Sequence, residues 1–521
     1  MKKIMTRLLS MVLLGAFIPG FVLADSWYLE DGDITVNATE TSQIVSQGGT
    51  SKPDSNPIIS TRAPGSSETG ATNNTVTITA EKNATANVTL ENVNIDTGTR
   101  GGAAITTSGE GNVNIELDGT NTVQSGNEHA GVEKKDDGTL TITDENKDGS
   151  LTATGGYRGA GIGGAHYESV SNIAIEGGKV KAIGGYLGAG IGGGLGGSGS
   201  NIAIEGGKVE AIGGGGGAGI GGGSSASGSG GNGSNITVSG GEVTAQGGVG
   251  GAGYLGAGIG GGLGGSGSNI TISDGNVTAT GAGAGAGIGG GYEGSGKGIT
   301  IEGGEVTAQG DLGGAGIGGG ISGTGSDVTI SGDAQVKVQG GRANEDWHKG
   351  AAIGNGGTRT TEGNEVSPNT SDLTVEGFIQ IYEPGKNINT DTPDKTIKGQ
   401  KGDHSWNAGE VTAEAVPESK TAAYWVCDPE GQSIPYQAQQ KDGVLTVTVQ
   451  ADTASLCGTT GSLGQLEAQG IAEIRFVTNG VESAFTLSDL FASGTGTFTL
   501  THEGKTVTFT LAEKDISGIL K

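Results

Sequence analysis

The chain has 521 residues, 111 of them glycine and only 10 proline, and a formal charge of −27. The glycines lie between short Val/Ile/Thr runs with no strict Gly-X-Y period, which excludes collagen and linker sequence and marks a repeat fold. The acidic balance argues against nucleic acid and against an anionic membrane as partner.

Residues 1–24 combine a basic start (Lys2, Lys3, Arg7), an apolar run from Leu8 to Ile18, a Pro19-Gly20 break and Val22-Leu23-Ala24. This is the pattern of a signal peptide, with an apolar run shorter than the ~20 residues a membrane span needs. The mature chain is expected to begin near Asp25 with a charge of −30, since the leader carries three cations and no carboxylate. No later stretch is apolar enough for membrane insertion, no cysteine follows the leader for lipid attachment, and the C-terminus carries no wall-sorting motif. The expected location is outside a bacterial cell, secreted or held noncovalently at its surface.

Residues 25–70 carry prolines, charges and one apolar run, and are expected to cap a repeat domain. The repeat takes over from Thr75-Val76-Thr77-Ile78-Thr79, and its domain spans residues 71–382. Ala-Gly-Ile-Gly-Gly recurs at Ala160, Ala189, Ala218, Ala257, Ala286 and Ala315, with variants at Ala103, Ala130 and Ala351; from Ala160 on, the spacings are 29, 29, 39, 29, 29 and 36 residues. Each unit holds two further alternating segments, such as Asn172-Ile173-Ala174-Ile175 and Lys179-Val180-Lys181-Ala182. Three short strands per unit, separated by glycine-rich corners, predict an all-β, right-handed, three-sided parallel β-helix with inward ladders of Ile, Val and Ala. At ~4.8 Å per rung, nine copies span roughly 40 Å. The additions around residues 224–233 and 247–254 are expected to bulge from corners.

After Leu373-Thr374-Val375 the pattern fades into a polar stretch, and residues 383–405 read as a linker. Residues 406–521 have fewer glycines and longer alternating runs, among them Val444-Leu445-Thr446-Val447-Thr448-Val449, and predict a small antiparallel β domain. The only cysteines, Cys427 and Cys457, lie there; a disulfide and two buried thiols are both open.

The AGIGGG and NITISGGxVTA units together resemble a type of Gly-rich secreted bacterial surface protein, similar in look to noncatalytic carbohydrate-binding β-helix proteins. The likeness covers about residues 76–375. It implies binding of polysaccharide or another extracellular surface without catalysis, and designates no binding residue.

Several constellations are candidates for chemistry. Asp144, Asn146 and Asp148 stand at alternate positions of a DxNxDG string that can surround calcium, the one cofactor to consider; Gly155 replaces the final bidentate Glu, so a polar turn is the competing reading. Five residues before each repeat Ile runs a column of Arg100, Asn127, Tyr157, Tyr186, Gly215, Tyr254, Gly283, Leu312 and His348; four residues after it runs His166, Leu195, Ser224, Leu263, Tyr292 and Ile321. Aromatic residues in register can stack on sugar rings, or on one another as corner ladders. The insertion at residues 342–349 adds Trp347 and His348 as a functional loop or a cap. Glu176, Glu205 and Glu302 share a column with Ser239 and Ser273, which reads as a strand-end charge ladder rather than a paired-carboxylate site. The five histidines, His129, His166, His348, His404 and His502, show no ligand spacing.

Together these features point to a noncatalytic surface or matrix protein that binds polysaccharide through its β-helix. The rival readings are a structural spacer presenting the C-terminal domain and a β-helical polysaccharide lyase or hydrolase.

Overall fold

A computed structural model describes residues 25–398 and 424–521, apart from 63–69, 136, 226–228, 249–255, 345–347, 359–360, 362–372, 376, 428–435, 442, 461–462, 464–465, 468–470, 480, 495 and 513. The expected leader at residues 1–24 lies outside the described residues. The chain divides into two compact units, residues 1–329, 337–373 and 383–386 in one and 330–336, 374–382 and 387–521 in the other.

The first unit is a parallel β-solenoid. Each rung contributes one strand to each of three walls, as in Leu140–Thr143, Ser150–Thr154 and Ile162–Gly163. Alternation selects what faces inward. On the first wall Leu140 stacks on Ile173, Ile202, Ile236, Ile270 and Ile299. On the second, Leu151 stacks on Val180, Val209, Val243, Val277 and Val306. The third wall runs from Ile34 through Val76, Ile105, Val132 and Ile162 to Ile353. All these side chains are buried. A one-residue slip in any strand would turn its ladder outward, so the pattern itself holds the register.

Two positions per rung carry the corners. Asn172, Asn201, Asn235 and Asn269 have left-handed backbones, with φ of 61°, 50°, 52° and 52°, a conformation Asn tolerates better than other side-chain-bearing residues. Their side chains form a ladder in which Nδ2 of Asn201, Asn235 and Asn269 donates to the Oδ1 of the preceding rung at 3.0 to 3.1 Å, while Asn172 Nδ2 donates to the carbonyl of Asp137. The glycine after the third-wall Ile in the rungs from Ile162 onward is the other. Gly163 has φ 137°, and a Cβ there would lie 2.1 Å from the carbonyl oxygen of Gly192; only hydrogen fits between rungs.

The stack begins earlier than expected. Residues 25–70 were expected only to cover the first rung, yet Ser26–Tyr28 pairs in parallel with Ile58–Ser60, which pairs with the strand Thr85–Glu91, while Ile34–Ala38 pairs with Val76–Ala80. The prolines that hid this, Pro53 and Pro57, stand at a strand end and just outside a strand, where a missing N–H is tolerated. The capping proper falls to Gln43–Gln47 and Thr50–Pro53, which add antiparallel to Ile34–Ala38 and finish on an exposed strand bearing Lys52 and Pro53, residues that discourage edge pairing. Buried Gln43 staples this cap by donating to the carbonyls of Asp54 and Asn87 and accepting from Asn87 N. Trp27 Nε1 donates to buried Asp54 at 2.9 Å.

Part of the expected linker is also structured. Lys395–Lys398 returns antiparallel to Phe378–Tyr382, with Ile397 opposite Ile379. The C-terminal part of the second unit has a four-stranded and a five-stranded sheet around Phe476, Phe485, Phe498 and Phe509. Pairing is mostly antiparallel, but Val444–Val449 runs parallel to Glu473–Thr478. A helix, Leu487–Ser493, capped by Thr486 accepting from Asp489 N, was also not anticipated.

Candidate site on the corner ridge

The third-wall strand is only two residues long in the regular rungs. The corners that enter and leave it therefore fold against each other. His166 N donates to Glu128 O, Leu195 N to Arg158 O, Ser224 N to Leu187 O and Leu263 N to Gly216 O, each at 2.8 or 2.9 Å. The two residue columns read separately from the sequence are thus the two flanks of one ridge along the solenoid.

Length variation collects on this ridge. Asn172 and Asn201 are 29 residues apart and Asn201 and Asn235 are 34, the difference falling in the corner that leaves the strand at Ile220. A second addition lies in the sequence between the strand that ends at Gln246 and Ile259, and a third between the strand that ends at Gln339 and Ile353. Corners between the first and second walls stay short, and in Gly233–Gln246 and Gly267–Thr280 a single strand crosses both walls. Insertions confined to one face are the usual sign of a binding face in repeat proteins.

The ridge carries exposed aromatic residues. The rings of Tyr157 and Tyr186 stack with centroids 5.1 Å apart and planes 11° apart, and remain 51% and 45% exposed. Tyr167, on the opposite flank, is 72% exposed and stacks on His166 at 3.9 Å. The Arg158 guanidinium lies 5.9 Å from the Tyr157 ring centroid and 2.9 Å from Glu128, whose carboxylate is also 3.5 Å from His166 Nδ1. His166 Nε2 is buried with no hydrogen-bond partner among the described residues.

Beneath these groups the third wall narrows, from Ile105–Gly109 through Val132–Lys134 to Ile162–Gly163. The step is filled by charge. Glu133, in register with Gly163 and 1% exposed, accepts from Ala130 N at 3.2 Å and lies 2.7 Å from His129 Nδ1 and 2.6 Å from Lys135 Nζ. The hydrogen bond to Glu133 raises the Lys135 pKa, against burial and with help from the charges of Glu133 and Glu168. The carboxylate orients the His129 ring and keeps the Lys135 ammonium protonated.

Other candidates have different fates. Arg100, in the same column as the tyrosines, is committed to a bidentate clamp on Asp33 at 2.7 Å. That clamp, opposed by burial and aided by Thr75, holds the Asp33 carboxyl at a pKa of about 2. Tyr292 is half-buried and His348 exposed; Tyr254 and Trp347 lie outside the described residues. In the Asp144 loop, Asp144 Oδ1 accepts from Gly149 N and Asn146 Oδ1 from Asp148 N, and Lys147 takes φ 66°. These are side-chain-closed turns, and among the described residues no three His, Cys, Asp or Glu side chains gather as a metal group. Strand register sets Cys427 opposite Ser455 and Cys457 opposite Trp425, a diagonal placement on neighbouring strands; the side chain of Cys427, and with it the expected disulfide, lies outside the described residues.

Tyr167, Arg158, Glu128 and the His129–Glu133–Lys135 group were not singled out from the sequence. Tyr167 adjoins a column residue, and His129 and Glu133 are four apart, but neither spacing means anything until the corners are folded together.

Six segments of the chain, residues 147–166, 173–195, 202–224, 236–263, 270–292 and 299–321, match the family model described as β-helix repeat. The matched segments are rungs of the solenoid, so sequence and structure agree on a β-helix fold for this part of the chain. No curated protein matches it, and neither does any solved structure.

Proposed function

We propose that this is an exported, noncatalytic protein that binds polysaccharide through the corner ridge of its β-helix, with Tyr157, Tyr186 and Tyr167 as platforms. One observation carries the reading. Among the described residues the exposed large hydrophobic side chains are Ile44, Tyr157, Tyr167 and Tyr186, and the three tyrosines fall on one ridge within neighbouring rungs. Rigid aromatic rings supply contact area at low entropic expense, and their hydroxyls suit a wet, hydroxyl-rich ligand. Arg158 and Glu128 beside them add hydrogen-bonding groups that their own ion pair holds in place.

The test is the mature full-length protein on a polysaccharide array, with and without a calcium chelator, beside Tyr157→Ala/Tyr186→Ala and Tyr167→Ala variants. Saturable binding weakened at least ~tenfold in the tyrosine variants is the expected result, the size of one interface hot spot. Binding that ignores the tyrosines would remove the ridge as the site. Chelator sensitivity would restore the Asp144 loop as a calcium site.

A further inference from the structure

We propose a second saccharide site, a polar cleft at the foot of the same ridge that takes an uncharged sugar chain. The cleft encloses about 320 Å³ and is lined by Gln246, Thr280, Gln309, Asp311 and Arg342, with the Pro384-Gly385 turn closing one side. It extends the polysaccharide reading to a place the tyrosines do not occupy, and it stands or falls on its own residues.

One column of the second wall changes character at the cleft. Thr154, Ile183 and Ile212 are followed in register by Gln246, Thr280 and Gln309. The half-exposed Ile183 and Ile212 thus give way to two carboxamides and a hydroxyl at the point where the cleft opens. Gln339 completes the column from below. Its Nε2 donates to the carbonyls of Glu383 and Lys386, which fastens the turn that forms the far wall, and its Oε1 accepts from Gln309 Nε2 at 3.0 Å. The Gln246 carboxamide and the Thr280 hydroxyl make no side-chain hydrogen bond among the described residues and face the opening with the remaining Gln309 oxygen.

The lip sets the ligand's charge. Asp311 is held rigid by accepting from Gly283 N and Leu312 N, and Arg342 stands 3.9 Å from its carboxylate. One anion and one cation at that separation favour a neutral ligand over a phosphate or a uronate. Among the described lining residues Ala282 and Pro384 are the only apolar side chains, so an aromatic or aliphatic ligand gains little. Donors and acceptors instead recur once per rung, ~4.8 Å apart along the axis, which suits a polymer that presents hydroxyls at regular intervals.

The experiment is titration calorimetry of the full chain with neutral linear hexasaccharides (β-1,4-glucan, β-1,3-glucan, α-1,4-glucan, xylan and mannan) and with polygalacturonate. The wild type is compared with Gln246→Ala/Gln309→Ala, with Arg342→Ala and with Tyr157→Ala/Tyr186→Ala, folding being checked by circular dichroism. Gln246, Gln309 and Arg342 are surface side chains, so their loss leaves the ladders intact. The expected result is that at least one neutral hexasaccharide binds and loses ~tenfold in affinity in both cleft variants, as the loss of one or two hydrogen bonds implies. Neutral binding weakened only by the tyrosine variant overturns the cleft and leaves the ridge reading intact. Binding of polygalacturonate alone does the same. Weakening by the cleft variants but not by the tyrosine variant supports the cleft and removes the ridge; no binding of any probe overturns both.

Discussion

The three walls and the corner ridge are made from the same 29-residue unit, yet they tolerate change very differently. On the walls, Leu, Ile or Val faces inward rung after rung, because each side chain touches its counterpart above and below and any slip exposes a whole ladder. On the ridge, the corners that flank the two-residue third-wall strand bring side chains such as Tyr157 and Tyr186 to the surface. Residues there can be Arg100, Asn127, Tyr157 or Gly215 at equivalent positions without disturbing the stack. Stability and recognition are therefore carried by different residues of one repeat, and substitutions can separate them.

The largest effects belong to the inner edge of the third wall. Ile220→Ala removes a fully buried side chain from a ladder and is expected to cost about 2–5 kcal/mol. Gly221→Val should cost no less. Its φ of 132° is a glycine conformation, and a Cβ there sits 2.1 Å from the carbonyl oxygen of Gly260, so the rung must part from its neighbour. Denaturant midpoints of the full chain measure both; a loss below about 1 kcal/mol in either would mean that the walls are no more demanding than the ridge.

A smaller effect tests the corner ladder. Asn235→Ala removes the bond it donates to Asn201 and the one it accepts from Asn269 and places Ala at φ 52°, which together should cost about 1–2 kcal/mol. Asn235→Gly keeps the backbone conformation and should cost less. Equal losses in the two variants would assign the position's role to the side-chain ladder alone.

These differences also explain what was legible beforehand. Strands such as Leu140–Thr143 and Val444–Val449 could be read because alternation and burial are the same fact seen twice. The three-wall stack followed from the spacing of Ala-Gly-Ile-Gly-Gly. The first rung was hidden because Pro53 and Pro57 look like loop residues until one knows that they stand at strand ends. The ridge was half legible: its columns could be numbered, but that His166 lies against Glu128 depends on the two-residue strand between their corners. Glu133 was invisible for a related reason, since it is buried only because the wall narrows at that rung.

Arg100 gives a pH test of the same column put to structural use. Because Asp33 titrates near 2 in the folded chain against an ordinary 3.8, its clamp contributes stability that is fully present above the ordinary value and is lost as pH falls through about 2. Between pH 4 and pH 2 the wild type should lose stability more steeply than Arg100→Gln, and the two should run in parallel above pH 5. Unfolding midpoints across that range measure it; parallel curves throughout would show that this exposed pair contributes nothing measurable.

The smallest expected change in stability is at the tyrosines, and it is the one that matters most for function. Tyr157 and Tyr186 stack on each other at the surface, so Tyr157→Ala removes a contact that is half open to water and should move stability by no more than about 0.5 kcal/mol. The same variant is expected to weaken polysaccharide binding at least ~tenfold. A variant that loses binding and keeps its midpoint places recognition on the ridge and structure in the walls. A variant that loses both makes the aromatic stack part of the solenoid's own packing, and the division between wall and ridge then fails at the site where it was drawn most sharply.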